Sequence, residues 1–114
     1  MLTVLTVLTT TDTAAKAEAL AHGAVTARLA ACAQISSAPV TSVYRWRGEI
    51  ETAQEWQVLL KTTRLRYPEL ERHLIAAHDY ETPEIIATPA VGGSAAYLEW
   101  VADETDTPRG RSGG

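Results

Sequence analysis

The stretch Val40-Thr41-Ser42-Val43-Tyr44-Arg45-Trp46-Arg47-Gly48-Glu49-Ile50 decides the fold. Val40 to Trp46 is rich in β-branched and aromatic side chains, which suit a pleated, half-buried surface. Arg47-Gly48 follows, and a glycine there supplies the positive φ that a two-residue hairpin loop requires. Trp56 to Thr63 then reads as the returning strand. Two consecutive strands therefore stand in the middle of the chain, and the elements on either side set the fold class.

Upstream, Leu2, Val4 and the run Leu5 to Leu8 are interleaved with Thr3, Thr6 and Thr9, as in a buried strand. Thr10, Thr11, Asp12 and Thr13 offer oxygens that can accept from the free N–H groups of a following helix. Ala14, Ala17, Leu20, Ala21, Ala24 and Arg28 recur at helical steps and leave Lys16 and Glu18 outward, with Gly23 weakening the last turns. Leu29, Ala31, Ala33 and Ile35 then alternate as a strand would, and Pro39 bends it or marks an edge. Downstream, Pro68 suits a helix's first turn, Glu69 and Glu71 complement its positive end, and Leu70, Leu74, Ile75 and His78 follow at helical spacing. Ile85, Ile86, Ala87 and Val91 make a short strand, edge or bulged because of Pro83 and Pro89. Ser94 caps a last helix carrying Ala95, Tyr97, Leu98, Trp100 and Val101.

The order strand, helix, strand, strand, helix, strand, helix is an α+β arrangement, the split βαβ plan with an added C-terminal helix. Residues 1–102 form one domain, and Asp103 to Gly114, with no apolar anchor, reads as a disordered tail. With 46% apolar and 21% charged residues the chain should fold, and a net charge of −4 lacks the basic footprint of a nucleic-acid binder. Met1 to Thr11 has five threonines and no basic segment before it, so neither a signal peptide nor a membrane anchor is expected. A single cysteine, Cys32, cannot form an internal disulfide and suits a reducing compartment, which points to the cytoplasm. In its apolar surroundings that thiol reads as a small buried hydrophobe rather than a nucleophile.

Polar side chains are densest in His78-Asp79-Tyr80-Glu81-Thr82-Pro83-Glu84. An imidazole, three carboxylates and a phenol could coordinate a divalent metal or hold a polar ligand. They could equally be structural, with His78 closing the second helix and Asp79 and Glu81 solvated. Tyr44, Trp46 and Trp56 flank the hairpin and suit a subunit interface, where such rings are enriched. No serine lies in a nucleophile elbow, and Gly92-Gly93 belongs to no phosphate-binding fingerprint. Catalysis is not expected; His78 with Glu81 or Glu84 is the sole plausible acid–base pair.

The segments Leu29-Ala30-Ala31-Cys32, Tyr44-x-Trp46-x-Gly48, Leu60-Lys61-Thr62-Thr63, His78-x-Tyr80-Glu81-x-Pro83-Glu84-Ile85 and Tyr97-Leu98-x-Trp100 stand in the order and spacing of the CutA divalent-cation-tolerance proteins. The chain resembles that family from Val4 to about Val101. The resemblance implies a ferredoxin-like βαββαβ sandwich in a tight, PII-like homotrimer whose hairpins pair across subunits. It also implies inter-subunit clefts where Trp46, Lys61, His78, Tyr80, Glu81 and Glu84 gather, with His78 and Glu84 as metal ligands and a divalent metal, copper foremost, as the bound ion. No enzymatic reaction comes with it. Some members of the family are thought to bind copper through a cysteine, a histidine and a glutamate at positions that match Thr9, Ala77 and Glu84, so only the glutamate remains here and weaker copper binding follows. The alternative is a PII-like sensor or trimeric scaffold whose clefts take a small anionic ligand, with Lys61 as the cation.

Overall fold

A computed structural model of the chain describes residues 3–106. Its elements are β1 (Val4–Thr11), α1 (Ala14–Thr26), β2 (Cys32–Ile35), β3 (Val40–Trp46), β4 (Glu49–Thr63), α2 (Tyr67–Ala77), β5 (Ile85–Pro89) and α3 (Ala95–Glu104). Two caps are those the sequence announces: Thr13 Oγ1 accepts from the Lys16 N–H at 3.1 Å, and Ser94 Oγ accepts from the Tyr97 N–H at 3.2 Å. At the hairpin turn Arg47 has φ 52° and Gly48 φ 83°, the doubly positive geometry that matches the twist of a two-residue loop to its strands.

The sheet is antiparallel in the order β2-β4-β1-β5, with β3 pairing β4 alone. That order is the ferredoxin-like one. Leu5 and Val7 of β1 and Val58 and Leu60 of β4 share one core with Ala17, Leu20, Ala21 and Ala24 of α1 and Leu70 and Leu74 of α2. Both long helices therefore cover one face. α3 crosses the other face near its Val4 end, where Val101 packs on Val4 and Ala31. The rest of that second face, including Thr6, Leu8, Ile86 and Thr88, has no helix of this chain packed on it among the described contacts. No helix among the described residues is long and apolar enough to cross a membrane.

The structure differs from the expectation in five places, the simplest being Val91, which lies exposed beyond the end of β5 at Pro89 instead of in the strand. Leu29 to Ala31 is buried but is not strand, because Arg28 turns the chain at φ 61° before β2 begins at Cys32. β4 starts at Glu49, well before Trp56, since its first half is held by pairing with β3 and carries no apolar pattern. α3 runs through Glu104, and Thr105 beyond it is buried with its hydroxyl donating to the Val101 carbonyl at 2.8 Å. The boundary at residue 102 therefore falls inside a helix, and of the expected tail residues 107–114 lie outside the described ones. Cys32 is only half-buried, with its Sγ 3.5 Å from the Tyr97 hydroxyl, because its strand turns it toward α3 rather than toward α1 and α2.

Candidate functional site

β4 is 15 residues long, about 50 Å at strand rise, which matches the molecule's longest extent of 52 Å. Its outer half and β3 form a two-stranded arm beyond the core, with Val43 and Ile50 exposed on it. The segment that links α2 to β5, residues 78–84, is bonded to this arm at two points. At the base, the Tyr80 hydroxyl donates to Glu55 Oε2 at 2.9 Å, and the Thr10 hydroxyl donates to the same oxygen at 3.3 Å. At the tip, Arg47 donates to Glu81 Oε1 at 2.8 Å while its guanidinium lies 5.3 Å from the centre of the Trp46 ring. Burial and the bond to Glu55 push the Tyr80 phenol well above its ordinary value, so it stays a neutral donor.

His78 is the pivot of this segment. Its side chain is 1% exposed, and both ring nitrogens are engaged. The Tyr80 N–H donates to Nδ1 at 3.2 Å, so Nδ1 carries the lone pair and Nε2 the proton, which it donates to the Thr10 carbonyl at 2.7 Å. The ring also lies 4.6 Å from that of Tyr80. Asp79 Oδ1 is 3.9 Å from Nδ1, but a neutral acceptor nitrogen makes no ion pair with a carboxylate. Asp79 instead pairs with Lys16, which also holds Asp12 at 2.9 Å. Lys16, Asp79 and His78 line a shallow cavity of about 280 Å³.

The Lys16 bond holds the Asp79 carboxyl below its usual range, and the Asp79 and Asp12 bonds hold the Lys16 ammonium above its own. The lowered carboxyl contributes stability above its unfolded value near 3.8 and loses it as the pH falls through the lower folded value. Asp79→Asn is thus expected to lower the urea midpoint slightly at pH 7 and not at all near pH 2, with the difference shrinking in high salt because the pair is exposed.

The structure joins His78 to Tyr80 directly and connects Trp46 to Glu81 through Arg47. Glu84 is exposed and precedes Ile85, which pairs with Thr9, so its backbone reaches the same end of β1. Lys61 is not with them in one chain. It stands six residues along β4 from Glu55, roughly 20 Å away, and donates to Gln34 Oε1 at 3.2 Å. Among the described residues no three of His, Cys, Asp and Glu gather as a metal site, and the Thr9 hydroxyl is buried without a partner. The described residues of one chain thus do not bring together a complete set of metal ligands. From sequence Thr10 reads only as a helix-cap candidate and Lys16 only as an outward side chain, and Glu55 is not singled out: it lies in a polar run with no periodicity, and only pairing with β3 puts it at the foot of the arm.

Residues 5–104 match the family described as CutA1 divalent ion tolerance protein. The chain is 40% identical over 99 residues to the divalent-cation tolerance protein CutA of Thermus thermophilus, covering 87% of this chain and 95% of that one. It is also 40% identical over 86 residues to the chloroplastic protein CutA of Arabidopsis thaliana, covering 75% of this chain but only 47% of that longer relative. Among solved structures, the Thermus thermophilus protein superposes with a TM-score of 0.87 at 39% identity, covering 90% of this chain and 99% of that one. The CutA1 of Ehrlichia chaffeensis gives 0.86 at 32% identity, over 94% and 99%. With the fold, the arm and the sequence in agreement over nearly its whole length, the chain belongs to the CutA1 divalent ion tolerance family.

Proposed function

We propose that the protein serves divalent-cation tolerance as a PII-like homotrimer in the cytoplasm, with metal bound where subunits meet. The observation that carries this reading is the arm. A two-stranded ribbon with exposed apolar side chains such as Val43 and Ile50 is marginal alone and gains partners on a neighbouring chain. Glu81 is bonded to the arm and Glu84 lies exposed near the end of β1, so a second subunit laid against the arm adds ligands to a set that the described residues of one chain leave incomplete. Carboxylates suit divalent ions rather than Cu(I), and the threonine at position 9 offers no thiolate. Glu84 is the leading ligand. His78 contributes to a metal only by giving up one of its two internal bonds, and in this reading it mainly holds the segment in place.

Light scattering is expected to give three times the 12.3 kDa of the chain. Calorimetric titration with Cu(II) and Zn(II) should show binding that weakens at least about tenfold in Glu84→Gln, since losing even a residue that only supports a metal ligand costs about 10- to 100-fold. A single-chain mass ends the shared cleft, and an unchanged Glu84→Gln titration moves the metal elsewhere.

A small-anion sensor has one observation in its favour: among the described residues the recorded partner of Lys61 is a neutral amide, not a carboxylate. Nucleotides in the same titration, binding to the parent and not to Lys61→Ala, would select that reading.

A further inference from the structure

Strand alternation sends Trp56, Val58 and Leu60 of β4 into the core and Glu55, Gln57, Leu59 and Lys61 to the opposite face of the sheet. On that face Leu59 pairs with Leu8 and Leu8 with Ile86, so a strip of three apolar side chains crosses it with no helix packed on top among the described contacts. Two unmatched charges stand on either side of the strip. Glu55 is only 8% exposed, and its Oε2 accepts from hydroxyls alone, those of Tyr80 and Thr10. Its Oε1 carries no bond among the described residues and is not sealed from solvent. A carboxylate so far removed from water is costly unless a cation completes it.

Lys61, half-buried two residues beyond Leu59, is the complement. An ammonium has three N–H donors, and the partner recorded for this one is the neutral Gln34 Oε1 at 3.2 Å. Glu55 and Lys61 cannot meet within one chain, since six residues of extended strand hold them roughly 20 Å apart. Other cations face elsewhere. Arg45 pairs with Ile50 and so lies on the other side of the arm from Glu55, while Arg72 stands on α2, behind the sheet. Lys16 and Arg47 are already held by carboxylates.

We propose that Glu55 is a cation socket filled by Lys61 of a second copy of this chain, laid with its uncovered sheet face against this one so that the apolar strips meet and the two β4 charges close across the contact. Charge complementarity selects the occupant. One face carries an acceptor short of a cation and a cation short of an acceptor at opposite ends of an apolar strip, so two copies satisfy each other and one copy cannot. In a closed ring each Glu55 receives one Lys61, whereas an open stack leaves an unmatched charge at either end. The pair presupposes the oligomer proposed above and sets how its subunits are turned against one another. Because the Tyr80 hydroxyl bonds the same carboxylate, the socket also ties the contact to residues 78–84.

The test is subunit exchange between ¹⁵N-labelled and unlabelled full chains, followed by native mass spectrometry, for the parent, Glu55→Gln, Lys61→Met and the double variant. Glutamine keeps an oxygen to accept from the Tyr80 and Thr10 hydroxyls, and methionine keeps most of the lysine stem, so the fold of each chain is preserved. Each single variant is expected to exchange about tenfold faster than the parent, because removing one partner of a buried charge pair acts mainly on dissociation. The double variant should exchange no faster than the faster single one. Residues roughly 20 Å apart in one chain act independently, so such non-additivity reports a meeting across the contact. An oligomeric parent whose exchange is unchanged in either single variant, or whose two effects multiply in the double variant, overturns the pair and leaves the oligomer standing. A parent of single-chain mass removes both.

Discussion

Replacing His78 by alanine is expected to cost about 3 kcal/mol of folding stability, and to do so whether or not a divalent metal is present. The ring satisfies two backbone groups at once, the Thr10 carbonyl and the Tyr80 N–H, and truncation strands both in a site where the side chain is 1% exposed. Each stranded buried group costs roughly 1 to 3 kcal/mol, with some relief from water entering the adjacent cavity. His78→Gln can keep the donor to Thr10 while losing the acceptor for Tyr80, and about 1 kcal/mol is expected. Urea unfolding at fixed protein concentration measures both. A ring that served mainly as a metal ligand would give the opposite ordering: little loss in the metal-free protein, and a loss that appears only when metal is added.

Leu60→Ala is expected to cost about 3 to 4 kcal/mol, near the middle of the range for such truncations. Leu60 is fully buried in β4, opposite Val7 of β1 on one side and Ala33 of β2 on the other. The same core holds Ala17, Ala21 and Ala24 of α1 and Ala30. Alanine has no rotamers with which to move into a void, so the gap stays open. Thermal or urea unfolding decides it, and a loss under 1 kcal/mol would mean that the helices close onto the sheet.

Much of the architecture was legible because local chemistry and tertiary packing agree. Thr13, Ser94, Arg47-Gly48 and Pro68 each act where their side chains or backbone preferences suggest. Legibility failed where a distant contact decides the local state. Arg28 adopts a left-handed backbone, and its guanidinium bonds the carbonyls of Asp103 and Asp106 at 2.8 and 2.9 Å. One long-range contact thus helps end the strand-like reading of Leu29 to Ala31 and secure α3 beyond Ala102. The site was partly readable in the same way. The 78–84 cluster is the right segment, but its bonds run to Thr10, Lys16, Glu55 and Arg47, each 25 or more residues away in sequence. No spacing within the segment could name those partners, nor show that the histidine has no free nitrogen.

The central position of β1 bears on how the chain is made. The first strand of this sheet to be synthesised, Val4–Thr11, lies between β4 and β5, so Leu8 must find Leu59 and later Ile86. At about 5 to 20 residues per second, the 74 positions from Thr11 to Ile85 take roughly 4 to 15 seconds to synthesise. For that interval an apolar, threonine-rich strand waits with at least one edge unpaired, a template for any other nascent chain. The strand that completes the sheet, β5, is the last of its strands to be made, which makes premature termination after β4 more hazardous to the cell than termination before it.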